Sequence, residues 1–429
     1  MSQARLPVSY DLGQLKHQAK DLLRAMHRAE PRALAELREH HPKPPAPEQA
    51  KLADAQLVLA RHYGAPSWPR LVQSCRLLDA IWSDDVDAIR ELVRKHPNLL
   101  HENAGIGNVN WGPPLSYAAN VGRNRIIELL HSLGATDLKY ALDRAVLQSR
   151  MDTAHLLHRL LGAPRPVGDV LGGAAYTLSV PGTEFMFSIG AKTTDEQGTP
   201  NAPVDVVLQS DSRKPAAKHR ILELYAEHGF EFPDTPVMAV HRGRMDLLEA
   251  HVRADPTLLR RTFSYAEIFP PEVGCNQNSP GPCGEDLPRT PIANSTLLHL
   301  CIEFEELEIA RWLLDCGMDP NARAAVDTKG FGGHTALFNA VVSYPVFWMN
   351  FTGGWPGTQK PLSADFAELL LDHGADPNAR ASFCEPIDGQ PTPREHRDVT
   401  PLAWGDAFSK KIVVNEAAKR VIERRGGQR

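Results

Sequence analysis

An eleven-residue run occurs twice in this chain with little change, and this repetition limits the fold more than any other feature of the sequence. The run reads Leu-Leu-Asp-Cys-Gly-Met-Asp-Pro-Asn-Ala-Arg at 313–323 and Leu-Leu-Asp-His-Gly-Ala-Asp-Pro-Asn-Ala-Arg at 370–380. Each copy follows an apolar run that opens with a threonine, Thr296 in the first case and Thr335 in the second. Such self-similarity predicts a stack of equivalent units, in which each unit packs only on its neighbours.

The residue types in each copy suit a pair of α-helices joined by a turn. Threonine at the start can cap the first helix with its hydroxyl, and the proline that follows Thr235 and Thr400 is tolerated in a first helical turn. The Leu-Leu pair of the second helix fills the space between units, and the glycine after it supplies a left-handed C-terminal cap. Asp-Pro-Asn then forms a turn toward the next unit.

These residues resemble the ankyrin repeat, whose signature has Thr-Pro-Leu-His at the start of one helix and Gly-Ala-Asp at the end of the next. The resemblance covers residues 77 to 425 and implies an all-α ankyrin-repeat solenoid of about eight or nine helix pairs, with long loop insertions in its C-terminal half. It also implies that His299, the histidine of the motif, makes a hydrogen bond that ties adjacent repeats together. Its functional implication is a protein–protein interaction module with an extended concave face.

Two domains are predicted, an N-terminal helical extension at 1–74 and an ankyrin-repeat domain at 75–429. Within the first, the stretch at 52–71 resembles the helical extension that precedes some bacterial ankyrin proteins, which implies a bacterial source. The extension carries no recognisable chemistry of its own.

Composition excludes several classes of function. The formal net charge is −5, so the strongly basic surface of a nucleic-acid-binding protein is not expected. No run approaches about 18 uninterrupted apolar residues, and no membrane span is expected. Six cysteines in 429 residues do not make a disulfide scaffold, so we expect reduced thiols and a cytoplasmic location. Cys275 and Cys283 are spaced too widely for a zinc knuckle, and we predict neither a metal nor a cofactor.

Four loops are much longer than the repeat pattern requires, and they are rich in aromatic residues. They lie at 263–294, 324–334, 343–363 and 382–398. The ankyrin resemblance places the first, second and fourth of them on the hairpin side, where their aromatic side chains could together form one wall of a binding site. The alternative is that these loops fold over the repeats and bury their own aromatics as caps.

We predict that the chain binds a protein or peptide partner through six residues on its concave face and loops. Aromatic side chains of this kind dominate the energetics of protein interfaces. His334 is included because it precedes a repeat in a glycine-rich loop, where its side chain is expected to be exposed. The six residues are Tyr117, Phe331, His334, Trp348, Trp355 and Phe383.

A second interpretation stays open, in which the aromatic C-terminal cleft binds a small molecule, such as a carbohydrate, or hydrolyses it. His334 and Asp327 share one loop and could do acid–base work if they met. Glu303, Glu305 and Glu306 are expected to be solvated in a turn. Together with Asp327 they belong to a set of carboxylates near the aromatics that could form a sugar site, whose other members are Asp365, Glu385 and Asp388. The discriminating feature is whether His334, Asp327 and the carboxylates converge in one concave pocket. The sequence carries no motif that identifies an enzyme.

Overall fold

Short helices joined in pairs make up most of the chain in the computed structural model. The structure describes residues 11–107, 110–210, 213–276, 289–344, 348–352, 357–387, 390 and 392–429. It divides into two compact units, an N-terminal unit that ends at Pro164 and a C-terminal unit that begins at Arg165. The predicted domain boundary between 74 and 75 lies within a single helix, Trp68–Trp82.

The N-terminal unit is helical throughout its described part. Three helices come first, α1 and α2 packing on α3, and three helix pairs follow, α4 with α5, α6 with α7 and α8 with α9. The helices are α1 Leu12–His27, α2 Pro31–His40, α3 Leu52–His62, α4 Trp68–Trp82, α5 Val86–Lys95, α6 Pro114–Val121, α7 Asn124–Ser132, α8 Leu138–Leu147 and α9 Met151–Leu160.

The C-terminal unit contains six helix pairs within its described residues, together with one extra short helix, α16, and one β-hairpin. The helices are α10 Gly172–Tyr176, α11 Val180–Ser188, α12 Val204–Leu208, α13 Pro215–Glu227, α14 Pro236–His241, α15 Met245–Ala254, α16 Tyr265–Ile268, α17 Leu297–Glu303, α18 Leu307–Asp315, α19 Ala336–Val341, α20 Asp365–Asp372, α21 Pro401–Ala407 and α22 Glu416–Arg424. Strands β1 Ala381–Glu385 and β2 Arg394–Val399 pair antiparallel. The helix-pair architecture predicted from the repeats is confirmed.

The turn between the two helices of a pair follows one backbone rule. In most pairs one residue at this turn has a positive φ. Examples are Glu305 (59°) between α17 and α18 and Leu178 (52°) between α10 and α11. Glycine occupies the same place at Gly122 and Gly243. Because a side chain in this left-handed region costs about 1–2 kcal/mol, the tight turn is held by the packing of its helices. Three pairs of the C-terminal unit have longer connections instead, at 209–214, 342–364 and 408–415.

The cysteines depart from the expectation of reduced thiols at one position. Cys384, on strand β1, is disulfide-bonded. Cys75, Cys275 and Cys301 are buried and form no disulfide, and Cys316 is exposed and forms none. Cys283 lies outside the described residues. The expectation was wrong for Cys384 because the number of cysteines in a sequence says nothing about which loops the fold brings together.

Within the described chain, no helix is long and apolar enough to cross a membrane. The same residues include no cluster of three or more histidine, cysteine or carboxylate side chains that could hold a metal ion.

Candidate partner-binding site

Part of the inner face of the C-terminal unit, formed by the first helices α17, α19 and α21, is occupied by the chain itself. The occupying stretch is residues 289–292, called here the inner segment. Thr290 donates its backbone N–H to the carbonyl of Val342 (3.0 Å). Its hydroxyl donates to the carbonyl of Phe338 (3.2 Å) and accepts the indole N–H of Trp404 (3.0 Å). One fully buried threonine thus links α19 and α21.

Two further contacts fix the inner segment at its ends. The Nη1 of Arg289 donates to Oε1 of Glu303, at the end of α17, over 2.7 Å. The Nε2–H of His334 donates to the carbonyl of Pro291 over 2.9 Å. Arg289, Thr290 and Ile292 are buried as a result.

The loops at 324–334 and 382–398 meet, as the sequence predicted, but their aromatics form a buried cluster. The backbone N–H of Gly332 donates to the carbonyl of Ser382 over 2.8 Å. Phe383 stacks on Trp404 with ring centroids 4.2 Å apart and lies 5.3 Å from His334. Phe331 lies beneath the guanidinium of Arg397, 3.8 Å from the ring centroid. The structure therefore follows the alternative in which these loops cap the repeats.

Burial removes four of the six predicted contact residues from the surface. Tyr117, Phe331, His334 and Phe383 are each exposed by 2% or less. Tyr117 packs inside the N-terminal unit, where its ring lies 4.9 Å from that of Trp111 and its hydroxyl accepts the indole N–H of Trp82 (3.3 Å). The expected exposure of His334 was wrong, because each aromatic side chain gains more from packing against its neighbours than from water.

The acid–base pair considered for His334 and Asp327 does not form. A carboxylate oxygen of Asp327 accepts the backbone N–H groups of Lys329 (2.9 Å) and Phe331 (2.8 Å), which closes a turn. The ring of His334 is buried against Pro291, His299 and Phe383. His299 has the role that the ankyrin resemblance implies, since its Nε2–H donates to the carbonyl of His334 in the next repeat (3.2 Å).

A cavity of about 600 Å³ opens in the C-terminal unit beside the turns that join paired helices. Five stretches line this turn cavity: 178–181, 213–217, 305–307, 348–352 and 360–366. They bring together the N-terminal ends of α11, α13, α18 and α20. Apolar side chains supply much of the wall, among them Val180, Pro181, Leu307 and Phe366.

The long loop between α19 and α20 completes the turn cavity. Asn350 in this loop is fully buried and donates its side-chain amide to the carbonyl of Thr177 (3.0 Å), near the end of α10. Its amide oxygen accepts the ammonium of Lys214 (3.3 Å). The loop therefore reaches from the pair α19–α20 back to the pair α10–α11. Trp348 lines the turn cavity and is half-buried.

Two ion-paired glutamates lie beneath the turn cavity, and the expectation that they are solvated was wrong. The Oε1 of Glu303 accepts Nη2 of Arg213 (2.6 Å) as well as Arg289, and its side chain is fully buried. Burial opposes ionisation, but the two guanidiniums hold the pKa of Glu303 below its ordinary value. Glu306 pairs with Lys218 (3.0 Å) and His219 (2.9 Å). These pairs fix α13 and the loop before it against the end of α17 and the turn before α18.

The rim of the turn cavity carries charges of both signs. Burial raises the pKa of Glu305, and the ammonium of Lys360 at 4.0 Å opposes that shift. Burial lowers the pKa of Lys214, whose hydrogen-bond partners are the neutral oxygens of Asn350 and Thr352 (3.4 Å). Asp365 is exposed at the first position of α20. Lys214 thus differs from the other charged groups of the rim in having only neutral partners among the described residues.

Of the six predicted residues, the structure places only Trp348 in the turn cavity, while Trp355 lies outside the described residues. Sequence reasoning missed Lys214 and Phe366, whereas Glu305 and Asp365 were among the carboxylates considered for a small-molecule site. The unusual length of the loops at 209–214 and 343–363 is the signal that could have found the site, because both interrupt a helix pair at the same place. The prediction took Trp348 and Trp355 from the second of these loops but placed the wall of the site on the hairpin-side loops, which lie elsewhere on the repeats.

Comparison with known proteins places an ankyrin repeat at the centre of the C-terminal unit. Residues 294–325 match the family model of the ankyrin repeat, a stretch that covers α17 and α18. The crystal structure of the human ASB11 ankyrin repeat domain is similar at 15% sequence identity, with a TM-score of 0.26, covering 74% of this chain and 99% of that one. No curated protein matches the sequence. The predicted ankyrin-type, all-α fold class is confirmed by the family match and the helix pairs.

The buried histidines predict a loss of stability in acid. Burial lowers the pKa of His241 to about 3, of His299 to about 4 and of His334 to about 3, against about 6.5 in the unfolded chain. The unfolded state therefore binds more protons than the folded state below about pH 6.5, and the free energy of unfolding falls as the pH drops through this range. Each histidine contributes up to about 1.4 kcal/mol per pH unit.

Urea denaturation at pH 7.5 and pH 5.0 measures this difference. We expect His334→Gln to reduce the difference by up to about 2 kcal/mol, because one proton-linked group is removed over about 1.5 pH units. The matched variant His101→Gln, at an exposed histidine, should leave the difference unchanged. Equal losses in the wild type and His334→Gln would contradict the neutral, buried state of His334.

Replacing the threonine of the inner segment should destabilise the C-terminal unit. Thr290→Val keeps the shape of the side chain but removes the acceptor of the Trp404 indole and the donor to Phe338. A buried polar group without a partner costs about 1–3 kcal/mol, and we expect a loss of that size in urea denaturation. Thr392→Val, at an exposed site in the same unit, should change stability by less than about 0.5 kcal/mol. Equal stability of the two variants would show that the inner segment is not packed as described.

Proposed function

We propose that this ankyrin-repeat protein binds a segment of a protein partner in the turn cavity of its C-terminal unit. Ankyrin repeats are in general protein–protein interaction modules. The observation that carries the proposal is the concave, largely apolar cavity of about 600 Å³ with a half-buried tryptophan in its wall. A concave apolar surface with a few polar groups is the usual form of a binding site. An aromatic side chain at such a site is the type of residue that dominates binding energy.

The inner segment supports placing the partner at the turn cavity and not on the inner face. A peptide that bound the inner face at α17, α19 and α21 would have to displace residues 289–292 together with the hydrogen bonds of Thr290 and the ion pair of Arg289. The turn cavity can be entered without breaking a contact of the inner segment. The cavity therefore replaces the concave face as our proposed contact site in this unit.

A small-molecule ligand is the second candidate. A volume of about 600 Å³ lies in the range of about 300–1,000 Å³ that is usual for small-molecule sites. Catalysis is not proposed, because His334 and Asp327 have separate structural roles outside this cavity.

The cytoplasmic location and bacterial source expected from the sequence stay predictions. The buried thiols of Cys75, Cys275 and Cys301, which form no disulfide, fit a reducing compartment. The disulfide at Cys384 is more typical of an oxidising one.

A substitution that fills the turn cavity tests the proposed site. Ala216 lies on the cavity lining, in the first turn of α13, and is not buried in the core, so Ala216→Trp should occupy the cavity without disturbing the core. Peptides selected from a displayed library of random 12-residue sequences are labelled, and their binding is measured by fluorescence polarisation. We expect Ala216→Trp to abolish binding and Trp348→Ala to weaken it at least about tenfold, the effect of losing an interface hot spot.

Ala250→Trp is the matched control, since Ala250 is exposed on α15 and lies outside the cavity lining. It should bind the selected peptides as the wild type does, and all three variants should keep the melting temperature of the wild type. Peptides that bind Ala216→Trp with wild-type affinity would overturn the site. If no peptide is selected, while small metabolites raise the melting temperature of the wild type and not of Ala216→Trp, the second candidate replaces the first.

A further inference from the structure

We infer that the partner segment places an anionic side chain against Lys214, next to apolar side chains that enter the turn cavity. This inference rests on the proposed function and names the chemistry that the cavity recognises. The occupant is an extended acidic peptide segment of another protein. Three observations carry the inference: the partners of Lys214, the backbone groups beside it, and the distribution of the other charges on the rim.

Lys214 is a half-buried cation that interacts only with neutral groups in the described part of the chain. Its ammonium contacts the amide oxygen of Asn350 at 3.3 Å and the hydroxyl oxygen of Thr352 at 3.4 Å, both long for hydrogen bonds to a charged donor. An ammonium has three donors, and burial without a counter-charge disfavours its charged form. An anionic group in the cavity would supply that counter-charge.

Backbone groups beside Lys214 would add to the same interaction. Lys214 precedes α13, a helix of 13 residues whose start is not capped by a side chain. Ala216 and Ala217 in its first turn line the turn cavity. Amide groups at such a position have no partner within the helix and are available to an anion that Lys214 already attracts.

The other charges of the lining make Lys214 the cation that an anion would meet without a competing carboxylate. Lys360 lies 4.0 Å from the carboxylate of Glu305. Arg213 is committed to the buried carboxylate of Glu303 at 2.6 Å. Asp365 is exposed in the first turn of α20. Among the described residues, Lys214 is therefore the lining cation that no carboxylate pairs with, and an anion is attracted to it.

The wall of the cavity determines what accompanies the anionic side chain. Val180, Leu307 and Phe366 form apolar surface, and Trp348 adds an aromatic face. Burying apolar side chains there removes their surface from water, which is favourable in proportion to the area buried. The expected recognition element is one acidic residue with an aliphatic or aromatic residue close to it in sequence.

Selection of displayed peptides tests this inference and requires no identified partner. A phage library of random 12-residue peptides is selected on the wild type, on Lys214→Glu and on Lys192→Glu. Lys192 is an exposed lysine of the same unit, outside the cavity lining, and serves as the charge-matched control. We expect the wild type and Lys192→Glu to enrich peptides with aspartate or glutamate next to an apolar residue. Lys214→Glu should instead enrich lysine or arginine at that position.

Individual peptides give the quantitative result. Replacing the enriched acidic residue by its amide should weaken binding of the peptide to the wild type at least tenfold. The Lys214→Glu substitution should weaken binding of the original acidic peptide by at least the same factor. A phosphoserine peptide should bind as well as the acidic one or better. Inorganic phosphate at 10 mM should compete weakly, since it lacks the apolar contacts; if it competes as strongly as the peptide, the site recognises a free anion and the peptide assignment is wrong.

The failure of this inference differs from the failure of the proposed function. Some selected peptides could lose binding to Ala216→Trp and yet bind Lys214→Glu as well as the wild type. That result would overturn the anionic preference, while the turn cavity would remain the proposed binding site. Peptides that are insensitive to both Ala216→Trp and Lys214→Glu would overturn both. Melting temperatures of the variants, which we expect within 2 °C of the wild type, exclude loss of folding as the cause.

Discussion

The carboxylate of Glu303 is the contact on which both functional features of the C-terminal unit depend. Its Oε1 accepts Arg289 from the inner segment at 2.7 Å and Arg213 from the loop before α13 at 2.6 Å. A buried ion pair adds little to the free energy of unfolding, because desolvation of the two charges offsets their attraction. Removing one partner leaves a buried charge without compensation, at a cost of about 3–5 kcal/mol. The contact therefore acts mainly to specify where two long loops lie. One of them covers the inner face and the other lines the turn cavity.

This arrangement changes which surface of a repeat stack is free to bind. Each helix pair presents its first helix on the inner face, and a protein of this architecture would ordinarily offer that face to a partner. Here Thr290 satisfies two backbone carbonyls and an indole N–H on that face with a single buried residue. The long loop through Asn350 in turn encloses space at the opposite, turn side of the pairs. The site that we propose thus arises from insertions into the repeats and not from the repeats themselves.

The sequence predicted the repeats well because their signals are local. Thr296 and the Gly-x-Asp-Pro-Asn closings each act within a few residues, so the helix pairs could be predicted from the motifs and their spacing. The hydrogen bond of His299 to the next repeat was implied by the ankyrin resemblance. The loops could not be predicted in the same way. Whether Phe383 contacts a partner or stacks on Trp404 depends on the path of the chain between them, and composition favours either outcome equally. Glu303 was expected to be solvated for the same reason, since Arg213 lies 90 positions away in sequence.

Hydrogen exchange of the backbone amides, measured with and without a selected acidic peptide, tests the central claim most directly. The account predicts slower exchange on binding at Ala216 and Ala217 and at the starts of α18 and α20, with no change in α17 or α19. Slower exchange in α17 and α19, together with faster exchange at Thr290 and Ile292, would show that the peptide had displaced the inner segment and bound the inner face. That result would contradict the account.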